Sequence, residues 1–183
     1  MATVIVLNGT SSAGKTSLAR AIQGLSAHAF LHVQMDSFLS MQPARMDNHP
    51  EAFVFRPVAG AAPPEVAIET GPYGARLLDG MRRSIAALAD AGLNVIVDDV
   101  WLGMDEQPAY ERLLRGHDIY FVGVRASLEA CEAREKARGD RDIGQVRWQF
   151  PRVHQGARYD LEVDTTDSSP EQAARKVVAA FSL

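Results

Sequence analysis

A chain of 183 residues with 46% hydrophobic and 23% charged residues has the size and composition of one globular domain, which excludes a disordered or fibrous protein. A net charge of -4 and a pI near 5.7 exclude the broad basic surface of a general nucleic-acid binder. The single cysteine, Cys131, cannot form an internal disulfide, no Cys/His spacing suits a metal, and the apolar run from Val4 to Leu7 is too short for a signal or membrane span, so a soluble cytoplasmic protein is expected.

In chain order, Val4-Ile5-Val6-Leu7 is a β-branched run ended by Asn8-Gly9, which suits a buried parallel strand. Beyond Lys15, apolar residues at Leu18, Ile22 and Leu25 keep helical spacing, so the strand feeds a helix with one buried face. Ala29 to Met35 is expected as a second strand, interrupted by His32 and Gln34, with Asp36 at its end. Pro43, Pro50, Pro57, Pro63, Pro64 and Pro72 predict an irregular excursion, and a substrate-binding segment is placed there, at about 37–75. Leu78, Met81, Ile85 and Leu88 return to helical spacing and stop at the C-capping Gly92.

Val95-Ile96-Val97, running into Asp98-Asp99, and Ile119 to Val124 suit central strands covered on both faces, with a helix from Gln107 to Arg115 between them. Ser127 makes a simple N-cap for a helix reaching about Arg138, and Leu161-Glu162-Val163 is a weak last strand. Ser169-Pro170-Glu171 opens a closing helix through Ala174, Val177, Val178 and Phe181. Strands alternating with helices through right-handed crossovers predict an α/β fold, a parallel sheet with helices on both faces, in a single domain over 1–183.

Gly9-Thr10-Ser11-Ser12-Ala13-Gly14-Lys15-Thr16 matches G-x-x-x-x-G-K-[ST] between a strand and a helix, the context a phosphate loop requires. Main-chain N–H groups from Gly9 through Ser17 are expected to hold the phosphates of ATP, Lys15 to reach the β and γ oxygens, and the Thr16 hydroxyl to ligate Mg²⁺. A glycine turn that only opens a helix is the plainer alternative.

Phosphoryl transfer needs a carboxylate near the acceptor hydroxyl and cations around the γ-phosphate. Asp36 is expected to orient and deprotonate that hydroxyl, although it also suits the cap of a helix begun by Ser37. Asp98 is favoured for magnesium and Asp99, pointing to the opposite side, is grouped with the acceptor; a solvated turn would also explain two adjacent acids. From 134 to 158, Arg134, Lys136, Arg138, Arg141, Arg147, Arg152 and Arg158 outnumber Glu135, Asp140 and Asp142. Arg134 and Arg138 share a helix face, and Gly139-Asp140 lets Arg141 fold back toward them, which suggests an arginine-bearing lid at about 134–155; a solvated helix paired with Glu132 and Glu135 is the alternative. Phe38, Leu39, Met41, Met46, Phe53 and Phe55, beside Ser37 and with only Arg45 and Arg56 as nearby cations, predict a small apolar or aromatic hydroxyl acceptor. Trp148 and Phe150 are expected to pack the lid, and no role falls to any histidine.

LNGTSSAGKT (7–16), MDSF (35–38) with Pro43 and Met46, VIVDDVWLG (95–103), VGVR (122–125), EAREKARGDR (132–141) and YDLEVDTT (159–166) together make the chain resemble the chloramphenicol phosphotransferase family along nearly its whole length. The resemblance implies the P-loop NTPase, nucleotide-kinase-like three-layer sandwich, with a five-stranded parallel sheet in the order 2-3-1-4-5. It also implies ATP as donor, the primary hydroxyl of chloramphenicol as acceptor and hence antibiotic resistance, Asp36 as general base, and Arg134, Arg138 and Arg141 as lid arginines. The stretch from about Gln42 to Thr70, including Ala61-Ala62-Pro63-Pro64, departs most from the family pattern, which leaves open a kinase of another small alcohol, or a P-loop switch or ATPase that modifies no metabolite. No nucleic-acid or membrane partner is expected, and the sequence assigns no oligomeric state.

Overall fold

The computed structural model describes residues 1–103, 105–139 and 142–183. Strand β1 (Thr3–Asn8) leads through the glycine loop into α1 (Lys15–Leu25), and β2 (Phe30–Gln34) runs directly into the short α2 (Met35–Leu39). A hairpin, β3 (Phe53–Pro57) and β4 (Val66–Thr70), precedes α3 (Pro72–Asp90), β5 (Asn94–Asp99) and α4 (Glu106–Leu113). The chain closes with β6 (Asp118–Arg125), α5 (Leu128–Arg138), α6 (Gln145–Gln149), β7 (Leu161–Asp164) and α7 (Pro170–Phe181).

Five strands form a parallel sheet in the order β2-β5-β1-β6-β7, which is 2-3-1-4-5 when only these strands are counted along the chain. Side chains alternate across a strand, so Ile5 and Leu7 of β1 join α1 and α7 in one core while Val4 and Val6 join α3 and α4 in the other. Both faces of β1 are therefore buried, which is why its sequence reads as an unbroken apolar run. Among the described residues, no helix is long and apolar enough to cross a membrane.

Three local expectations need correction. The proline-rich excursion is not irregular, because Phe53 pairs with Thr70 and Phe55 with Ile68 in an antiparallel ribbon. Its prolines fall where a missing N–H costs little: Pro57 ends β3, and Pro72 is the first residue of α3. β2 stops at Gln34, so Asp36 lies inside the first turn of α2, neither at a strand end nor at a cap; Gln34 holds the N-cap position. Finally, Glu135 is not a solvated partner of the lid arginines. It is 1% exposed and accepts from the Gly144 and Val146 N–H groups, each at 2.9 Å, which fixes α6 against α5. Gly144 in turn accepts from Val66 N (3.1 Å), so the hairpin is bonded to the segment that opens α6.

The remaining caps follow the residue types. Ser127 accepts from Ala130 N, and α5 ends at Gly139 in the left-handed region. Ser169 and Gln172 complete a reciprocal capping box at α7.

Candidate active site

The phosphate loop is shaped by close approach. A Cβ on Gly9 would lie 2.3 Å from the Val124 carbonyl oxygen, so only glycine lets the chain leave β1 against β6. At the other end Gly14 has φ 90° and occupies the N-cap position of α1. Lys15 is 6% exposed, and its Nζ donates to the carbonyls of Gly9 (2.8 Å) and Thr10 (3.0 Å). Burial pushes the Lys15 ammonium below its ordinary range, opposed first by Asp98 and then by Asp36. The loop is braced from behind: Thr165 Oγ1 donates to Ala13 O at 2.6 Å, and Arg134 donates to Ser12 O (3.4 Å), Thr165 O (2.6 Å) and Thr166 O (3.2 Å).

The two adjacent acids part company through strand alternation. Asp98 lies on the α1 side with Ile96, where its Oδ2 accepts from Thr16 Oγ1 at 2.5 Å and its Oδ1 lies 3.9 Å from Lys15 Nζ. Burial would raise the Asp98 carboxyl, but His32, Lys15 and Thr16 outweigh it and hold the group below the usual carboxylate range. A hydroxyl and an ionised carboxylate in direct contact are hard oxygen donors of the kind Mg²⁺ takes, so this pair fits that ion. Asp99 faces the α3 and α4 side and is 3% exposed. Its Oδ1 accepts from Val100 N (2.8 Å), and its Oδ2 from Trp101 Nε1 (3.1 Å) and the Tyr110 hydroxyl (2.8 Å). Burial, then the Asp99 charge, pushes the Tyr110 phenol well above its ordinary range. Grouping Asp99 with the acceptor residues is corrected accordingly: its carboxylate ties down core donors and reaches neither cavity.

Two cavities meet beside the loop. One of about 220 Å³ lies over Ser12, Gly14, Lys15, Thr16 and Ser17, with Asp98 and Arg134 in its wall. The other, about 950 Å³, is bounded by α2, the β3–β4 hairpin, the start of α4 and α6. Ser11, Met35, Asp36, Val100 and Arg138 line both, so a carboxylate and a guanidinium stand where the two spaces join.

Of the residues expected to hold the acceptor, Leu39, Phe53 and Phe55 line the larger cavity. Phe38 instead packs against the core under α3 and α4, Ser37 and Met46 line neither cavity, and Met41 is 67% exposed. Arg141 lies outside the described residues. Trp148 is covered by the Arg152 guanidinium, 4.6 Å from its ring centre, and Phe150 is exposed.

Sequence reasoning missed Gln145 and Gln149, which share a face of α6, are both buried and both line the larger cavity. The Gln149 Oε1 accepts from Ser11 N at 2.8 Å, which fixes the amide orientation and leaves its NH₂ uncommitted among the described residues. No periodicity marks such glutamines, since polar residues at i and i+4 read as an exposed helix face.

Proteins with this architecture are known. An APS kinase from Mycobacterium tuberculosis, solved with AMPPNP and APS, superposes with a TM-score of 0.67 at 16% identity, over 100% of this chain and 98% of that one. A gluconokinase from Sinorhizobium meliloti gives 0.63 at 14% identity over 99% and 91%, and the tunicamycin resistance protein of Deinococcus radiodurans gives 0.65 at 16% over 100% and 97%. At these identities the likeness is one of fold. That fold, with its phosphate loop, is the fold of the P-loop kinase class.

The family is narrower than the class. Residues 2–182 match the profile of the chloramphenicol phosphotransferase-like proteins, and the chain belongs to that family. Two Mycobacterium tuberculosis proteins, from strains CDC 1551 and H37Rv, are each 36% identical to it over 97% of this chain and 81% of their own length, and their name proposes an O-phosphotransferase activity.

Proposed function

We propose that the chain transfers the γ-phosphoryl group of ATP to a hydroxyl of a small acceptor seated in the larger cavity. The observation that carries this reading is Asp36, whose side chain borders both the space over the phosphate loop and the larger space beside it. An acceptor hydroxyl at that junction attacks the γ-phosphorus, its proton passes to the Asp36 carboxylate, and the bond to the β-phosphate oxygen breaks to release ADP.

Lys15 and the loop N–H groups hold the departing diphosphate, while Arg138 at the junction and Arg134 behind the loop neutralise charge on the group in flight. Gln149, its carbonyl fixed by Ser11 N–H, offers its NH₂ to the same group. Thr16 and Asp98 are the residues that would hold Mg²⁺, which when bound neutralises charge on the β and γ oxygens. From sequence, Arg141 joins Arg134 and Arg138 on a lid over about 134–155 that keeps water out, in one domain with the excursion at about 37–75. Dependence on ATP makes the cytoplasm its place of action. Within this family chloramphenicol is the first acceptor to try, and its phosphorylation would confer resistance.

The test is to incubate the chain with Mg-ATP and a panel of hydroxyl compounds that includes chloramphenicol, scoring ADP release and the mass of each acceptor. Faster ADP release with one acceptor, together with a gain of one phosphoryl group on it, is the expected result. Equal ADP release with and without every acceptor would leave a slow ATPase or nucleotide switch and sink the kinase reading.

A further inference from the structure

A buried ring nitrogen stands beside Asp98 with nothing to bond to. In the parallel pairing of β2 with β5, His32 lies beside Ile96 and Gln34 beside Asp98, so both β2 side chains share the sheet face that carries Asp98 and packs under α1. The His32 side chain is 8% exposed, and its Nε2 is buried 3.8 Å from Asp98 Oδ2 without a hydrogen-bond partner among the described residues. An N–H···O bond closes at about 2.7–3.2 Å, so the ring stands against the carboxylate and stops short of it. Gln34 and Asp98 line the smaller cavity and His32 does not, which puts the ring behind the carboxylate and out of reach of a ligand.

The other ring nitrogen fixes where the proton sits. Gln34 Nε2 lies 3.3 Å from His32 Nδ1, and an amide NH₂ can only donate, so Nδ1 accepts and a neutral ring carries its proton on Nε2. The nitrogen facing Asp98 is therefore a donor. Asp98 has room for it: of the roughly four lone-pair sites on a carboxylate, Thr16 Oγ1 fills one, at Oδ2. A donor stranded beside an unfilled acceptor costs free energy that a small turn of the carboxylate recovers.

We propose that His32 is a positioning residue for magnesium: its Nε2–H is the donor that closes on Asp98 when the ion binds and steadies the carboxylate from behind. This rests on the reading of Thr16 and Asp98 as the magnesium residues and is independent of which acceptor is used. Carboxylates that serve a metal are themselves hydrogen-bonded, because an outer donor limits their rotation and shapes the site in advance. Gln34 acts one step further out, by setting the tautomer of the ring.

Calorimetric titration of the non-hydrolysable nucleotide AMPPNP, once with magnesium and once with EDTA, isolates the share of binding that depends on the ion. The native chain should bind more tightly with magnesium. His32→Ala should lower that gain about tenfold, with affinity in EDTA within about twofold of native. His32→Gln, whose amide nitrogen reaches as far as Nε2, should keep most of the gain, whereas the shorter His32→Asn should lose it as the alanine variant does. A histidine that only fills space would lower affinity by the same factor with and without the ion. That result, or a full magnesium gain in His32→Asn, overturns the proposal, and the asparagine variant decides alone if His32→Ala does not fold. Asp98→Asn separates the two claims. A gain that vanishes in Asp98→Asn but survives in the histidine variants removes His32 and leaves the ion site standing; a native chain with no gain, or an Asp98→Asn variant that keeps it, ends the reading of the ion site itself.

Discussion

The phosphate loop and the acceptor hairpin border the same junction but are built on opposite plans. Around the loop, Asn8, Lys15 and Asp98 are each under 10% exposed, and their polar groups engage main chain or one another. The hairpin stands at the surface, its β3 and β4 strands joined outside by the exposed pair Arg56 and Glu69 (3.0 Å), and only one face meets the cavity. Backbone geometry shapes the phosphate loop, whereas replaceable side chains on a two-stranded ribbon shape the larger cavity that we propose as the acceptor site. A family built this way can keep one chemistry and change its acceptor by altering the hairpin, because substitutions there leave the loop untouched.

Variants can break or sharpen this contrast. Lys15→Ala should have the largest effect of this series, lowering kcat/KM by about 10²- to 10³-fold and weakening nucleotide binding in a calorimetric titration. Nucleotide affinity that survives unchanged would mean that Lys15 does not grip the phosphates.

Asp99→Ala should act on stability instead. It strands the Trp101 and Tyr110 donors in the core, costing about 3 kcal/mol in urea unfolding, with nucleotide affinity preserved in the folded protein. Loss of nucleotide binding without loss of stability would return Asp99 to the active site.

On the hairpin, Phe55→Ala should raise the acceptor KM about tenfold and leave nucleotide affinity alone. A matching loss of nucleotide affinity would show that the two ends are not separable.

The smallest effect concerns pH. Burial, then the Arg125 charge, lowers His154 to about 4, and its Nδ1 accepts from the Tyr159 hydroxyl, itself raised to about 12 chiefly by burial. Between about pH 6.5 and about pH 4 the unfolded chain binds a proton that the folded chain refuses. Stability is therefore full above that window and declines as pH falls through it, by about 1 kcal/mol after allowing for the partial exposure of the ring. Urea midpoints of the native protein and His154→Asn should converge toward the acid end; parallel curves would remove His154 as the cause.

The same contrast explains what could be read before folding. The helix starts at Ser127 and Ser169 and the phosphate loop were legible because apolar runs, caps and glycine spacing are local signals of geometry, whereas the sheet order was implied only by the family resemblance. The opposite facing of Asp98 and Asp99 was legible from strand alternation, although the buried partners of Asp99 were not. The hairpin was hidden by prolines that lie at element ends, and Gln145, Gln149 and Glu135 were hidden because burial of a polar side chain depends on partners far along the chain. Asp36, read from sequence as the general base at a strand end, lies instead in the first turn of α2, where it lines both cavities.

The joining of donor and acceptor spaces at one carboxylate is tested most directly by Asp36→Asn. With an acceptor that supports turnover, single-turnover transfer from Mg-ATP should fall about 10²-fold or more, while nucleotide affinity measured on the same preparation stays within about twofold of the native value. Transfer at the native rate would contradict the assignment of Asp36 as the group that receives the hydroxyl proton.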